Sequence, residues 1–242
     1  MEPRFIRSIK IEHDKIDQYS YLNKIEAIKN LDELIFDSAI TFFVGENGSG
    51  KSTLLEAIAI ALGFNPEGGS KNYRFNTYDS HSDLYKAIKT IRTFNKEKFG
   101  YFLRAESFYN VATKEEEYAD KPSLSKHYHQ KSHGESFLEL LNNNLTENGL
   151  YLIDELESAL SAQRQLSALI KIYESAKMGS QFIIVTHSPI LLAIPNATIY
   201  SFDGDNIHKI NYEESDAYQI TKMFIENKDD ILRRLLESEG IW

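Results

Sequence analysis

Apolar and polar positions fall into short blocks of distinct period. Phe5–Ile11 alternates apolar and polar residues, the period-two pattern of a half-buried strand. Ile40–Val44 (ITFFV), Leu150–Ile153 (LYLI) and Gln181–Val185 (QFIIV) are apolar almost throughout and rich in β-formers, as strands buried on both faces are. Ser52–Leu62 has helical apolar spacing and helix-forming residues, and Gly63 and Pro66 end it. A second helix is predicted near Leu160–Ala176, and Ala217–Glu237 reads as one or two amphipathic helices. Thr198–Phe202 and Asn206–Ile210 flank Asp203-Gly204-Asp205, which predicts a hairpin. The stretch from about Asn65 to Asn148 is polar and mixed, with one predicted strand at Phe99–Arg104 and several helical segments; Asn142–Asn144 and Gly149 then break the chain.

Buried strands alternating with helices predict an α/β fold, a largely parallel sheet with helices on both sides. The chain has 242 residues, compatible with one such domain, and shows no internal repeat or long linker. No cysteine is present, so a disulfide framework and a cysteine-ligated metal are excluded and a cytoplasmic location is the expectation. No signal-type apolar run opens the chain, and no stretch approaches the roughly 18 apolar residues of a membrane helix. The net charge of −9 does not support nucleic-acid binding by the whole surface. A basic stretch, Lys86 to Lys98 (KAIKTIRTFNKEK), is read as the solvated face of a helix.

Two motifs carry chemistry. Gly45-Glu46-Asn47-Gly48-Ser49-Gly50-Lys51-Ser52 fits the phosphate-loop pattern G-x-x-x-x-G-K-[ST] in full, between a predicted strand and a predicted helix. Glycines let the backbone curl so that successive N–H groups face phosphate oxygens, and the helix N-terminus faces the same anion. Lys51 then reaches the β- and γ-phosphates, Ser52 ligates Mg²⁺, and Thr53 lies near the α-phosphate. The second motif is Asp154-Glu155, directly after the LYLI strand. Carboxylates there suit a metal ligand (Asp154) and a general base for water (Glu155), because ligands of open α/β sheets gather beyond the strands' carboxyl ends. An apolar run before two acids also fits a helix N-terminus; the phosphate loop favours the catalytic reading.

The stretch Asp154–Ser161, DELESALS, resembles the DEPTSALD stretch of ABC-type ATPases. Ser158–Ser161 falls on that family's D-loop, and Thr186-His187-Ser188 resembles its switch-histidine loop, with His187 at the γ-phosphate and the attacking water. Lys131-Ser132-His133-Gly134-Glu135 resembles the LSGGQ signature; Ser132 and Gly134 match and His133 replaces a glycine. The motifs stand in the family's order, from about Ile40 to Ser188, and the chain resembles stand-alone bacterial AAA-family ATPases, which look like the heads of SMC and DNA-repair ABC proteins. Three positions depart: Leu156 replaces the usual Pro, Ser161 replaces the D-loop Asp, and Glu106 is the best candidate for the Q-loop residue and a further Mg²⁺ contact.

The resemblance implies an ABC-type P-loop domain over residues 1–242, with a helical signature lobe at about 107–148 and an antiparallel β region. It implies ATP and Mg²⁺ as cofactors and a nucleotide held between two protomers of an ATP-dependent homodimer. One protomer supplies Gly45–Ser52, Asp154, Glu155 and His187, and the other supplies Ser132 and Gly134. Tyr19 and Tyr21 are candidates for adenine stacking or ordinary packing. His127, His129 and His133 have a spacing that could bind zinc, but no second cluster supports it and the signature accounts for His133. Alternative roles for the same chemistry are the nucleotide-binding subunit of a membrane transporter and an ATP-dependent switch in DNA repair or phage defence, with a protein effector as partner. No long heptad segment supplies a coiled-coil arm.

Overall fold

The computed structural model describes residues 5–71, 82–104, 138, 141 and 143–238. Its strands are β1 (Ile6–Ile11), β2 (Glu33–Ile35), β3 (Ile40–Val44), β4 (Gly69–Ser70), β5 (Ile88–Arg92), β6 (Phe99–Arg104), β7 (Gly149–Asp154), β8 (Gln181–Val185), β9 (Thr198–Ser201) and β10 (His208–Ile210). Seven of them form the central sheet in the order β10-β9-β3-β8-β7-β6-β4. The five inner strands, β9 to β6, run parallel; β10 and β4 close the edges antiparallel. β2, β1 and β5 form a separate antiparallel sheet of three strands.

Every residue of β3, β7 and β8 is buried, which explains their unbroken apolar runs. Alternate side chains serve two cores. Phe43, Leu150, Leu152, Ile183 and Val185 face the helix Lys51–Ala61 and the three-stranded sheet, through Leu54, Ile58, Ile6 and Ile9. Phe42, Tyr151, Ile153, Phe182 and Ile184 face the helix Ala162–Lys177, through Ala168, Ile172 and Ala176. Each of these larger side chains contributes about 1.5–3 kcal/mol by burial.

One polar side chain joins the two sheets. Gln181, at the start of β8, is fully buried. Its Oε1 accepts the N–H groups of Phe5 (2.8 Å) and Ile6 (2.9 Å), and its Nε2 donates to the Ile6 carbonyl at 2.8 Å. The side chain thus completes backbone hydrogen bonds that β1 cannot make with its own sheet.

The parallel sheet, the hairpin of β9 and β10 and the two long helices agree with the sequence. The basic stretch corrects it. Residues Ile88–Arg92 are a strand, not a helix, paired along β1. Lys86, Lys89 and Arg92 recur every third residue, which fits a helix, but Lys89 and Arg92 are exposed on an edge strand, where charge suits an open edge. Arg92 is bonded to Glu97, Lys98 to Glu147 and Lys86 to Asp83, so three of the stretch's five basic side chains are paired with acids. The short strands β2 and β4 gave no periodic signal. Most of the expected signature lobe lies outside the described residues. Among the described residues, no helix is long and apolar enough to cross a membrane.

Replacing Gln181 with Leu leaves two buried N–H groups and one carbonyl without partners, each costing about 1–3 kcal/mol. We expect a stability loss of about 3 kcal/mol or more in urea unfolding; an unchanged midpoint would show that the two sheets do not depend on this side chain.

Candidate functional site

β3 ends at Val44, and the chain turns through Gly45–Gly50 into the helix Lys51–Ala61. Gly45, Gly48 and Gly50 have φ of 139°, 86° and 97°, backbone that only glycine adopts without strain. Gly50 is also sterically required: a Cβ there would lie 2.7 Å from the Ile25 side chain. The Lys51 side chain is buried and spans the loop, donating to the carbonyls of Gly45 (2.7 Å) and Glu46 (2.6 Å). Burial pushes its ammonium below the usual lysine range, and the carboxylates of Asp203, Glu155 and Asp154 oppose that shift. A buried cation beside N–H groups that the first helical turn leaves unbonded is an anion cradle.

Next to it, β7 ends in Asp154, which pairs in register with Val185 of β8. The Ser52 hydroxyl donates to Asp154 Oδ1 at 3.0 Å. A hydroxyl and a carboxylate oxygen side by side, at the mouth of the phosphate loop, are the hard donors that Mg²⁺ takes. Glu155 follows with φ of 50°, a left-handed conformation uncommon for a residue other than glycine. Its N–H donates to the Val185 carbonyl at 3.0 Å, which holds this turn in place. Its carboxylate is partly exposed and lies 4.0 Å from His187 Nε2. The parallel order β3-β8-β7 therefore gathers Lys51, Ser52, Asp154, Glu155 and His187 at one edge of the sheet.

Gly45, Glu46, Asn47, Glu155, His187 and Asp203 share the wall of an open cavity of about 1070 Å³. Ser132, Gly134 and Glu106 lie outside the described residues, as do His127, His129 and His133. Tyr19 and Tyr21 are exposed and line a different cavity of about 830 Å³, with Tyr85 and Lys86, which no phosphate-loop residue reaches.

A family model described as an AAA domain matches residues 21–239, nearly the whole chain. The chain belongs to the AAA domain family. No curated protein matches it. Solved structures similar to this AAA domain include the SMC head domain from Thermotoga maritima, at 13% identity and a TM-score of 0.46, covering 86% of this chain and 98% of that one. Another is SmcHead bound to the C-winged helix domain of ScpA, at 15% identity and a TM-score of 0.45, covering 86% and 97%. A third is an ABC transporter in an inward-facing conformation, at 20% identity and a TM-score of 0.45, covering 76% of each chain.

Two carboxylates of this AAA domain matter to the site although their sequence context did not mark them. Glu157 anchors the histidine loop: Thr186 Oγ1 donates to its Oε2 at 2.8 Å and the His187 N–H to its Oε1 at 2.5 Å. Ser188 adds a second tie, its hydroxyl donating to Gln165 Oε1 at 2.6 Å. Behind two adjacent acids, Glu157 reads only as a helix-start residue. Asp203 sits in the hairpin turn and faces the phosphate loop, a proximity that strand order alone creates. Its Oδ1 accepts the Glu46 N–H at 2.8 Å and its Oδ2 accepts the Ser201 hydroxyl at 3.1 Å. A Cβ on Gly45 would lie 2.9 Å from Asp203 Oδ1, so this glycine makes room for the carboxylate.

Removing Asp203 has two opposed effects on an anionic ligand: the loop loses an anchor and the site loses a negative charge. Asp203→Asn keeps an acceptor and removes only the charge. We expect Asp203→Ala to bind a nucleoside triphosphate about tenfold more weakly than Asp203→Asn, the worth of one hydrogen bond. Equal affinities by titration calorimetry would show that the bond to Glu46 does not shape the loop.

Proposed function

We propose that this chain is an ATPase that binds ATP at the Gly45–Ser52 loop and hydrolyses it with Glu155 and His187. The observation that carries this reading is the convergence, at one sheet edge, of a buried lysine in a glycine cradle, the Ser52–Asp154 oxygen pair and the Glu155–His187 pair. Each answers one need of phosphoryl transfer: charge neutralisation, placement of a hard cation and handling of a water molecule.

In this mechanism the loop N–H groups and Lys51 hold the β- and γ-phosphates, and the anion favours the charged form of a lysine that burial alone disfavours. Ser52 and Asp154 would hold Mg²⁺, which supplies neutralisation of phosphate charge when bound. Glu155 accepts a proton from water, whose oxygen bonds to the γ-phosphorus as the bond to the β,γ-bridging oxygen breaks. ADP and inorganic phosphate leave. His187, fixed from behind by Glu157 through its backbone, donates from its ring to the γ-phosphate or orients the water. Glu155 and His187 open toward solvent, and the nucleotide is completed by Ser132 and Gly134 of a second copy. ATP then closes a homodimer and hydrolysis opens it.

Glu155→Gln keeps the side-chain shape and removes the base. We expect turnover to fall about 10²–10⁴-fold while ATP affinity stays within a few-fold of the parent. Lys51→Ala should lose ATP binding itself. Normal phosphate release by Glu155→Gln would refute the base assignment, and full affinity in Lys51→Ala would refute the cradle.

A further inference from the structure

Arg104 is the last residue of β6 and pairs in register with Asp154, the last residue of β7. Register partners on parallel neighbours project to the same face of the sheet, and their backbones lie about 4.8 Å apart. That face is the one covered by the helix Lys51–Ala61, because Phe102 and Leu152, two residues before them, pack in the core on that side. The carboxylate of the Ser52–Asp154 oxygen pair and a guanidinium long enough to reach it therefore stand side by side. Left to Coulomb attraction, Arg104 would close on Asp154 in a charge-assisted pair and take the oxygens that a cation needs.

The guanidinium is held elsewhere. Arg104 Nη1 donates to Glu56 Oε2 at 2.5 Å and to the Pro66 carbonyl at 3.2 Å. Glu56 follows Ser52 by four residues on the same helix, so Ser52 meets Asp154 and, one turn on, Glu56 meets Arg104. Pro66 leads into β4, the edge strand on the opposite side of β6 from β7. The bond to its carbonyl draws the guanidinium away from Asp154.

Glu56 is itself fixed. Its Oε1 accepts the Ser82 N–H at 3.4 Å, and its side chain is 14% exposed against 23% for Arg104. An ion pair so sheltered holds its geometry better than one in open water. Without Glu56, a partly buried cation is left one strand away from Asp154.

We propose that Glu56 is a positioning residue: by holding Arg104 against the helix it keeps the guanidinium off Asp154 and leaves that carboxylate open to a divalent cation. This rests on the reading of Ser52 and Asp154 as cation donors and adds the device that keeps them available.

The test is the affinity of the full chain for a fluorescent ADP, titrated once in Mg²⁺ and once in EDTA. The ratio of the two affinities is the gain that the cation supplies. In the parent, Mg²⁺ should tighten binding. Glu56→Gln should lose about tenfold of that gain, the worth of a charged hydrogen bond that the cation must now break. Its affinity in EDTA should hold or rise, because Arg104 on Asp154 offsets a carboxylate that repels phosphate. Arg104→Gln should keep the parental gain or exceed it, and Glu56→Gln with Arg104→Gln should recover it. A merely structural tie gives another pattern: Glu56→Gln weakens binding equally in Mg²⁺ and EDTA, and the double variant does no better. That pattern, an unchanged gain in Glu56→Gln, or a reduced gain in Arg104→Gln would each overturn the proposal. A parent that binds equally with and without Mg²⁺ would overturn the cation reading of Ser52 and Asp154 and this inference with it. A failure confined to the Glu56 and Arg104 variants leaves that reading standing.

Discussion

In the central sheet β8 lies hydrogen-bonded between β3 and β7, and all three run the same way. Their carboxyl ends therefore meet at one edge. A parallel sheet needs both faces covered, so each of these strands is buried throughout, and none can slip in register without turning its apolar side chains against the wrong helix. Because Asp154 pairs with Val185, and Phe43 with the same Val185, the phosphate loop, the acidic pair and the histidine loop are set within reach of one another before any polar contact is counted.

Polar clamps then refine what the sheet places. Glu157 bonds the histidine loop, Gln165 bonds Ser188, and Asp203 bonds the phosphate loop. Each joins segments distant in sequence, and each acts on backbone or hydroxyl groups rather than on the charged groups of the site. Glu155 and His187 keep their side-chain ends for a ligand or for one another, while the Lys51 ammonium rests on the loop carbonyls of Gly45 and Glu46. Gln181 works the same way on a larger scale, joining the small sheet to the large one through one buried amide. Removing Gln181 leaves orphaned buried groups, so it costs more to lose than it contributes when intact.

The electrostatics of the site are uneven by design of the fold. One buried lysine faces three carboxylates, Asp154, Glu155 and Asp203. A polyphosphate entering this surrounding is drawn by Lys51 and by the N–H groups of the loop, and repelled by the acids. A divalent cation held by Ser52 and Asp154 would remove part of that repulsion.

By itself, the sequence determined the class of fold and the chemical core of the site. The unbroken apolar runs at Ile40–Val44, Leu150–Ile153 and Gln181–Val185 are legible because burial on both faces leaves no room for polar alternation. The loop Gly45–Ser52 is legible because its backbone geometry restricts which residues can stand there, and Asp154-Glu155 because of where they follow a strand. Tertiary structure alone decided the rest. It made a strand of Ile88–Arg92, since pairing along β1 outweighs the three-residue spacing of Lys86, Lys89 and Arg92 that fits a helix. It brought Asp203 to Glu46 and Glu157 to His187, contacts between residues whose own neighbourhoods read as a turn and a helix start. Local pattern records how a residue meets water or the core, whereas partners across the sheet depend on strand order, which no single segment carries.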